Sequence, residues 1–230
     1  MQSVDSNIEH VRERIASAAR SAGRGAESVR LVAVSKTRGP DDIRRVARAG
    51  VRDVGENYVA EALPKIAALV DCDLTWHFIG AIQSNKTRDI ALHFDWVHTV
   101  DREKIARRLS DQRPPTLDPL NVLIQVNVDR EPQKAGVPEE RLAELVQYVA
   151  LLPRLRLRGL MTMPRETAAA DEQRTAFHRL AQLFDTVRPL QTGSWDSLSM
   201  GMSADFEVAI SEGATLVRLG TAIFGQRTKT

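Results

Sequence analysis

The sequence predicts a (β/α)8, or TIM, barrel preceded by an extra N-terminal helix. Eight short runs of β-rich, apolar residues alternate with longer stretches of helical period. Strands that alternate with helices imply a parallel sheet, and eight is the number that closes such a sheet on itself. The length of 230 residues is one that a barrel fills as a single unit, so residues 1–230 are expected to form one domain. A doubly wound open sheet uses the same alternation and stays open as the alternative.

The elements follow in order. A helix is expected over residues 4–22, then a first strand in "RLVAVSK". Pro40 followed by Asp41 and Asp42 opens the next helix, because proline tolerates the first helical position and acids favour the positive end of the dipole. Gly50 marks its end before the second strand, "VRDVGEN". The third and fourth strands are "LTWHFIG" and "FDWVHTV", separated by a helix that Ser84 introduces. "RPPTLDP" at 113–119 is a loop ahead of the fifth strand, "LNVLIQVNV". Pro138, Glu139 and Glu140 start the helix that leads to "LRLRGLMTM", the sixth strand. The seventh is "SLSMG", and Ser203 is read as the cap of a helix over "ADFEVAISEG" that stops at Gly213 before "TLVRLGT", the eighth.

Composition excludes several classes. The chain is 43% hydrophobic and 27% charged, with 32 basic against 30 acidic residues and a formal charge of +2. The basic residues are scattered without long runs, so no nucleic-acid partner is expected. The single cysteine, Cys72, allows no internal disulfide and has no histidine or cysteine at a metal-binding spacing, so no metal site is expected. "MQSVDSNIEHVRERI" has no apolar core of a signal peptide, and no run of about eighteen apolar residues could span a bilayer. A cytoplasmic monomer is the expectation.

Functional groups in barrels sit at the C-terminal ends of the strands, and the unusual residues collect there: Lys36, Asn57, Gly80, Met163, Ser199 to Gly201, and Arg218 to Thr221. Parity sharpens two of them. Val32, Val34 and Lys36 share one face of the first strand, and Leu216, Arg218 and Gly220 share one face of the eighth. Neither face of a barrel strand normally meets water, so both cations are driven toward a low-dielectric setting where an unpaired charge costs several kcal/mol. A bound anion or carbonyl compound would supply the missing partner. The plainer readings are that Lys36 reaches out of the rim and that Arg218 pairs with Asp101 or Glu56. His77 reads as a satisfied core histidine, and Lys86 as a solvated or anion-facing first-turn side chain.

"VAVSKT", "GENYVAE", "WHFIGAIQSNK", "GLMTM", "LSMGMSADFEVAI" and "VRLGTAIFG" together resemble the pyridoxal phosphate homeostasis protein family, whose fold is similar to the barrel domain of alanine racemase. The resemblance runs from about residue 8 to residue 225 in the expected order. Local departures are Ala81, where the family usually has proline, and "REPQKAGV", where a KSG-like string is common.

The resemblance implies that Lys36 binds the aldehyde of pyridoxal 5'-phosphate (PLP) as a Schiff base. Only a neutral amine attacks a carbonyl, and burial favours that form. It also implies that Arg218 faces the pyridine nitrogen. Arginine can only donate, so the nitrogen stays unprotonated and the ring is a poor electron sink. Barrels often hold phosphate in the loops after strands seven and eight, here "SMGMS" and "RLGTA". Ser199 and Thr221 offer hydroxyls there, while Gly201 and Gly220 let backbone N–H groups approach an oxyanion. Asn57 is expected to orient the ring hydroxyl or a water, and Met163 and Met200 to pack near the ring.

Two functions then compete: a non-catalytic PLP holder that serves vitamin B6 homeostasis and passes cofactor to PLP-dependent apo-enzymes, and an amino-acid racemase. Racemisation needs a second base, which in the racemase family is a tyrosine from a separate β-domain of the partner subunit. The only tyrosines here, Tyr58 and Tyr148, fall on predicted helices, which favours the holder. A cofactor-free Schiff-base aldolase is the third reading.

Overall fold

The computed structural model describes residues 3–129, 135–164, 169–190 and 193–226. Most of the departure "REPQKAGV", residues 130–134, lies outside them. Eight parallel strands close into a barrel in sequence order: β1 (Arg30–Val34), β2 (Asp53–Glu56), β3 (Thr75–Phe78), β4 (Trp96–Val100), β5 (Leu120–Gln125), β6 (Leu155–Met161), β7 (Ser197–Ser199) and β8 (Leu216–Leu219). The seam closes where β8 pairs with β1, Arg218 opposite Val32. Closure decides against the open sheet. Every strand but β4, which ends with its run at Val100, stops short of the C-terminal end of its apolar run, so Lys36, Asn57 and Met163 fall in the turns beyond and not in the ladder.

Around the barrel run α1 (Val4–Ser21), α2 (Pro40–Arg48), α3 (Val59–Ala68), α4 (Thr87–His93), α5 (Glu103–Gln112), α6 (Leu142–Ala150), α7 (Ala170–Val187), α8 (Phe206–Ser211) and α9 (Thr221–Phe224). Helix α1 buries Ile8, Val11, Ile15 and Ala19, a stripe at three- and four-residue spacing, and Ser3 caps it by accepting the Ser6 N–H at 3.1 Å. It packs on the short α8 and α9, covering the wall that follows β7 and β8, and Asn7 Nδ2 donates to Ile223 O at 2.9 Å. Both glycine stops hold: after α2 and α8, the N–H groups of Gly50 and Gly213 return to Ala47 O and Ile210 O, and those of Val51 and Ala214 to Val46 O and Ala209 O.

Ser203 is not a cap. Helix α8 starts three residues later, and the Ser203 hydroxyl accepts the N–H groups of Gly220 (3.3 Å) and Ala222 (3.2 Å), tying the loop after β7 to the start of α9. Asp205 organises the same loop by accepting the Met202 N–H at 2.6 Å.

Two apolar cores result. The large one lies between strands and helices, as expected when each strand buries one face outward. The small one, Trp96, Leu123 and Met161 with Met163 against it, fills part of the barrel interior. Another part of that interior is polar, and it leads to the site. No helix among the described residues is long and apolar enough to cross a membrane.

Candidate functional site

A cleft of about 220 Å³ opens at the C-terminal end of the barrel. Of the nine residues expected at a site, Lys36, Asn57, Met163, Arg218, Gly220 and Thr221 line it. Val34, Ile79, Met202, Ser203 and Asp205 join them.

Ser199, Met200 and Gly201 are not in the lining, and each has a physical reason. Ser199 shares a strand face with the barrel interior, fully buried below the cleft, where its hydroxyl meets Arg218 and His98. It is not placed to offer that hydroxyl to a phosphate. Met200, of opposite parity, is fully buried in the outer core, outside the cleft. Gly201 has φ +94, a region that costs other residues strain, and its carbonyl accepts the Arg218 N–H at 3.0 Å; it shapes the strand end and leaves the lining to Met202 and Ser203.

Lys36 sits in the turn between β1 and α2, half-buried, and among the described residues its amine has no hydrogen-bond or ion-pair partner. The turn itself is clamped. Ser35 points to the opposite face, where its hydroxyl meets Glu56 Oε1 at 2.5 Å and its carbonyl accepts from Lys65 Nζ at 2.9 Å. Lys65 also donates to Glu56 Oε1 at 2.7 Å, and Glu61 Oε2 accepts the N–H of Thr37 at 3.0 Å. Thr37 has φ 65, a left-handed backbone that costs a β-branched residue free energy and persists only where surroundings dictate it. Helix α3 therefore grips the residues on either side of Lys36 and leaves the amine itself unengaged. Burial pushes the Glu56 carboxyl above the usual carboxylate range, against the pull of Lys65 and Ser35.

Asn57 follows β2, and its Oδ1 is buried with no donor in reach among the described residues, an acceptor waiting for one. Its backbone passes Gly80 so closely that a Cβ there would lie 2.0 Å from Asn57 O. Gly80→Ala is expected to push Asn57 out of the lining and to cost at least the roughly 1–3 kcal/mol of an overpacked core. Denaturant unfolding measures it; an unchanged midpoint would contradict the fit.

Arg218 is 3% exposed and pairs with neither Asp101 nor Glu56. Nη1 donates to Ser199 Oγ at 2.7 Å and Nη2 to the Thr162 carbonyl at 3.0 Å. Burial pushes its pKa down to about 10, which leaves it charged near neutrality, and Asp205 pulls the other way. The guanidinium has five N–H donors, more than those two bonds use, and lines the cleft.

His77 is the satisfied core histidine that the pattern suggested: fully buried, with Nε2 at 2.9 Å from Asp53 Oδ1 and Nδ1 at 2.9 Å from His98 Nε2. Single-sequence reasoning missed His98, Lys65 and Ser203. The available signal for Lys65 was its place four residues after Glu61 on one helix face. Tyr58 lies just ahead of α3, 60% exposed, and Cys72 is half-buried beside Arg44; neither lines the cleft. Among the described residues no cluster of histidine, cysteine and acids could hold a metal.

Comparison with known proteins is consistent along the whole chain. The family model "Alanine racemase, N-terminal domain" matches residues 6–228. A pyridoxal phosphate homeostasis protein of Pseudomonas aeruginosa is 55% identical over 227 residues, 99% of this chain and 97% of that protein. Another, from Escherichia coli K12, is 47% identical over 230 residues, 99% of this chain and 98% of that one. The structure of PipY from Synechococcus elongatus PCC7942 with PLP bound is 38% identical and superposes with a TM-score of 0.80, covering 94% of this chain and 100% of that one.

Proposed function

This chain belongs to the pyridoxal phosphate homeostasis protein family, and from that premise we propose that Lys36 holds PLP in the cleft as a carried cofactor and not as a tool of catalysis. It is a PLP-binding protein of vitamin B6 homeostasis, like relatives at 44–55% identity that share the name.

The observation that carries the reading is an amine without a partner among the described residues, lining the same cleft as a buried guanidinium that contacts no carboxylate among them. PLP supplies a reactive aldehyde, an acceptor ring nitrogen and a phosphate. The lining fits each of them. Lys36 provides the amine for the aldehyde. Arg218 provides donors for the ring nitrogen, and Asn57 Oδ1 an acceptor for the ring hydroxyl. Gly220, Thr221 and the loop of Met202 and Ser203 lie where the phosphate of barrel ligands commonly sits, in the turns after strands seven and eight.

A carrier follows from how these groups act. Arg218 donates and never gives up a proton near neutrality, so the ring nitrogen it faces is not protonated and a carbanion gains little stabilisation. Racemisation also needs a base on each face of the substrate. Besides Lys36, the described lining offers Asp205 as a carboxylate, and its Oδ1 already accepts from Met202 N. The likeness in fold to racemases therefore does not carry their activity with it.

The purified protein is expected to turn yellow with PLP and, after borohydride reduction, to carry the label on the peptide containing Lys36 by mass spectrometry. Label on another lysine would overturn the assignment. Incubation with single-enantiomer amino acids is expected to leave optical rotation unchanged; sustained loss would make the protein a racemase.

A further inference from the structure

The polar part of the barrel interior is one continuous chain of contacts. Asp53 Oδ1 lies 2.9 Å from His77 Nε2, His77 Nδ1 lies 2.9 Å from His98 Nε2, His98 Nδ1 lies 2.8 Å from Ser199 Oγ, and Arg218 Nη1 lies 2.7 Å from the same oxygen. His98 is on β4 and Ser199 on β7, strands that are not neighbours, so this contact crosses the inside of the barrel. Asp53 is at the start of β2 and lines a separate cleft at the other end, whereas Arg218 lines the PLP cleft.

The two ends decide the direction of every bond between them. A guanidinium can only donate and a carboxylate can only accept, while a hydroxyl and each neutral imidazole have one hydrogen to give. A single arrangement with neutral imidazoles then satisfies the whole series. Arg218 donates to Ser199, Ser199 to His98 Nδ1, His98 Nε2–H to His77 Nδ1, and His77 Nε2–H to Asp53. A second proton on His77 would reverse the two middle bonds and leave the Ser199 hydrogen without an acceptor among the described residues. Burial also opposes a charge on His77, and His98 is held well below the usual histidine range by burial first, then by His77 and the cations Arg218 and Arg30.

We infer that Asp53, His77, His98 and Ser199 form a one-way hydrogen-bonded relay that fixes the orientation of Arg218 and thereby the donor it presents to the PLP ring. The ring contact rests on the functional reading above; the relay does not. Its effect is to give Ser199 a single bonding role, accepting from the buried guanidinium and donating away from it, and successive bonds in such a series polarise one another. His98 and Ser199 are positioning residues, since they touch Arg218 or its partner and not the ligand.

The first test needs no cofactor. Nitrogen-15 NMR of histidine-labelled, PLP-free protein near neutral pH is expected to show His77 and His98 each protonated on Nε2 alone. A proton on Nδ1 of either ring overturns the relay. The second test uses the loaded protein. His98→Gln keeps both directions, its amide donating to His77 and its carbonyl accepting from Ser199, and is expected to retain PLP within about threefold of the original affinity. His98→Leu leaves Ser199 without its acceptor and is expected to lose roughly tenfold or more, the scale of one hydrogen bond to a charged group. Ser199→Ala, a smaller change less able to impair folding, is expected to follow His98→Leu. Equal retention in all three variants, or equal loss in Gln and Leu, overturns the positioning role. Failure of the unsubstituted protein to take up PLP would instead count against the ring contact, with the NMR result standing by itself.

Discussion

Lys36→Ala is expected to stay colourless in PLP, with no label fixed by borohydride and no visible band from an imine. The folded state should hardly notice, because among the described residues the amine makes no bond that the substitution breaks, and its turn is held from the other side by Glu56, Glu61 and Lys65. Function and stability therefore separate at this residue. Retained Arg218 and the phosphate loops should leave weak, non-covalent uptake, visible as protection against thermal unfolding at high PLP. A yellow Lys36→Ala protein would move the carbonyl-binding amine elsewhere.

Lys65→Met is expected to have the largest effect on stability, about 3–5 kcal/mol, because it strands a buried carboxylate after removing its cation. Glu56 is fully buried, its Oε1 takes both Lys65 and Ser35, and its Oε2 already has no donor among the described residues. The double change Glu56→Gln with Lys65→Met should recover much of the loss, since nothing charged is then left unpaired. Denaturant midpoints of the single and double variants decide it; additive losses would mean that the pair is not coupled. Because the same groups grip Ser35 and Thr37, the single variant should also bind PLP more weakly at a temperature where it remains folded.

The barrel was legible because its strands are short, apolar and bounded by glycine and proline, and because helices of one residue period cannot be mistaken for strands of another. All eight expected runs contain a strand. The cleft was legible through parity: a lysine and an arginine at the ends of strands one and eight had to emerge at one mouth of a closed barrel. What parity could not supply was depth. Ser199 and Met163 both belong to the ends of apolar runs, yet Ser199 closes β7 beneath the cleft, bonded to Arg218, while Met163 lies beyond β6 and lines it, a difference that depends on the shear of the closed sheet. Nor could it supply partners far apart in the chain. His98 looked like one more residue of "FDWVHTV", and its contact with Ser199 joins positions 101 residues apart across the interior. At Ser203, the local signal for a helix cap lost to a tertiary one, because two N–H groups at the start of α9 claim its hydroxyl.

Thr37 carries a further implication for anyone seeking a tougher version of this molecule. Glycine or asparagine would sit more comfortably in its left-handed backbone, and a screen for heat resistance would be drawn to that position. The residue next door is the one whose aim matters. Glu61 grips the N–H of residue 37 and not its side chain, so asparagine would keep the mount of the amine, whereas glycine, freer in its backbone, would loosen it; the two goals meet or part with the residue chosen.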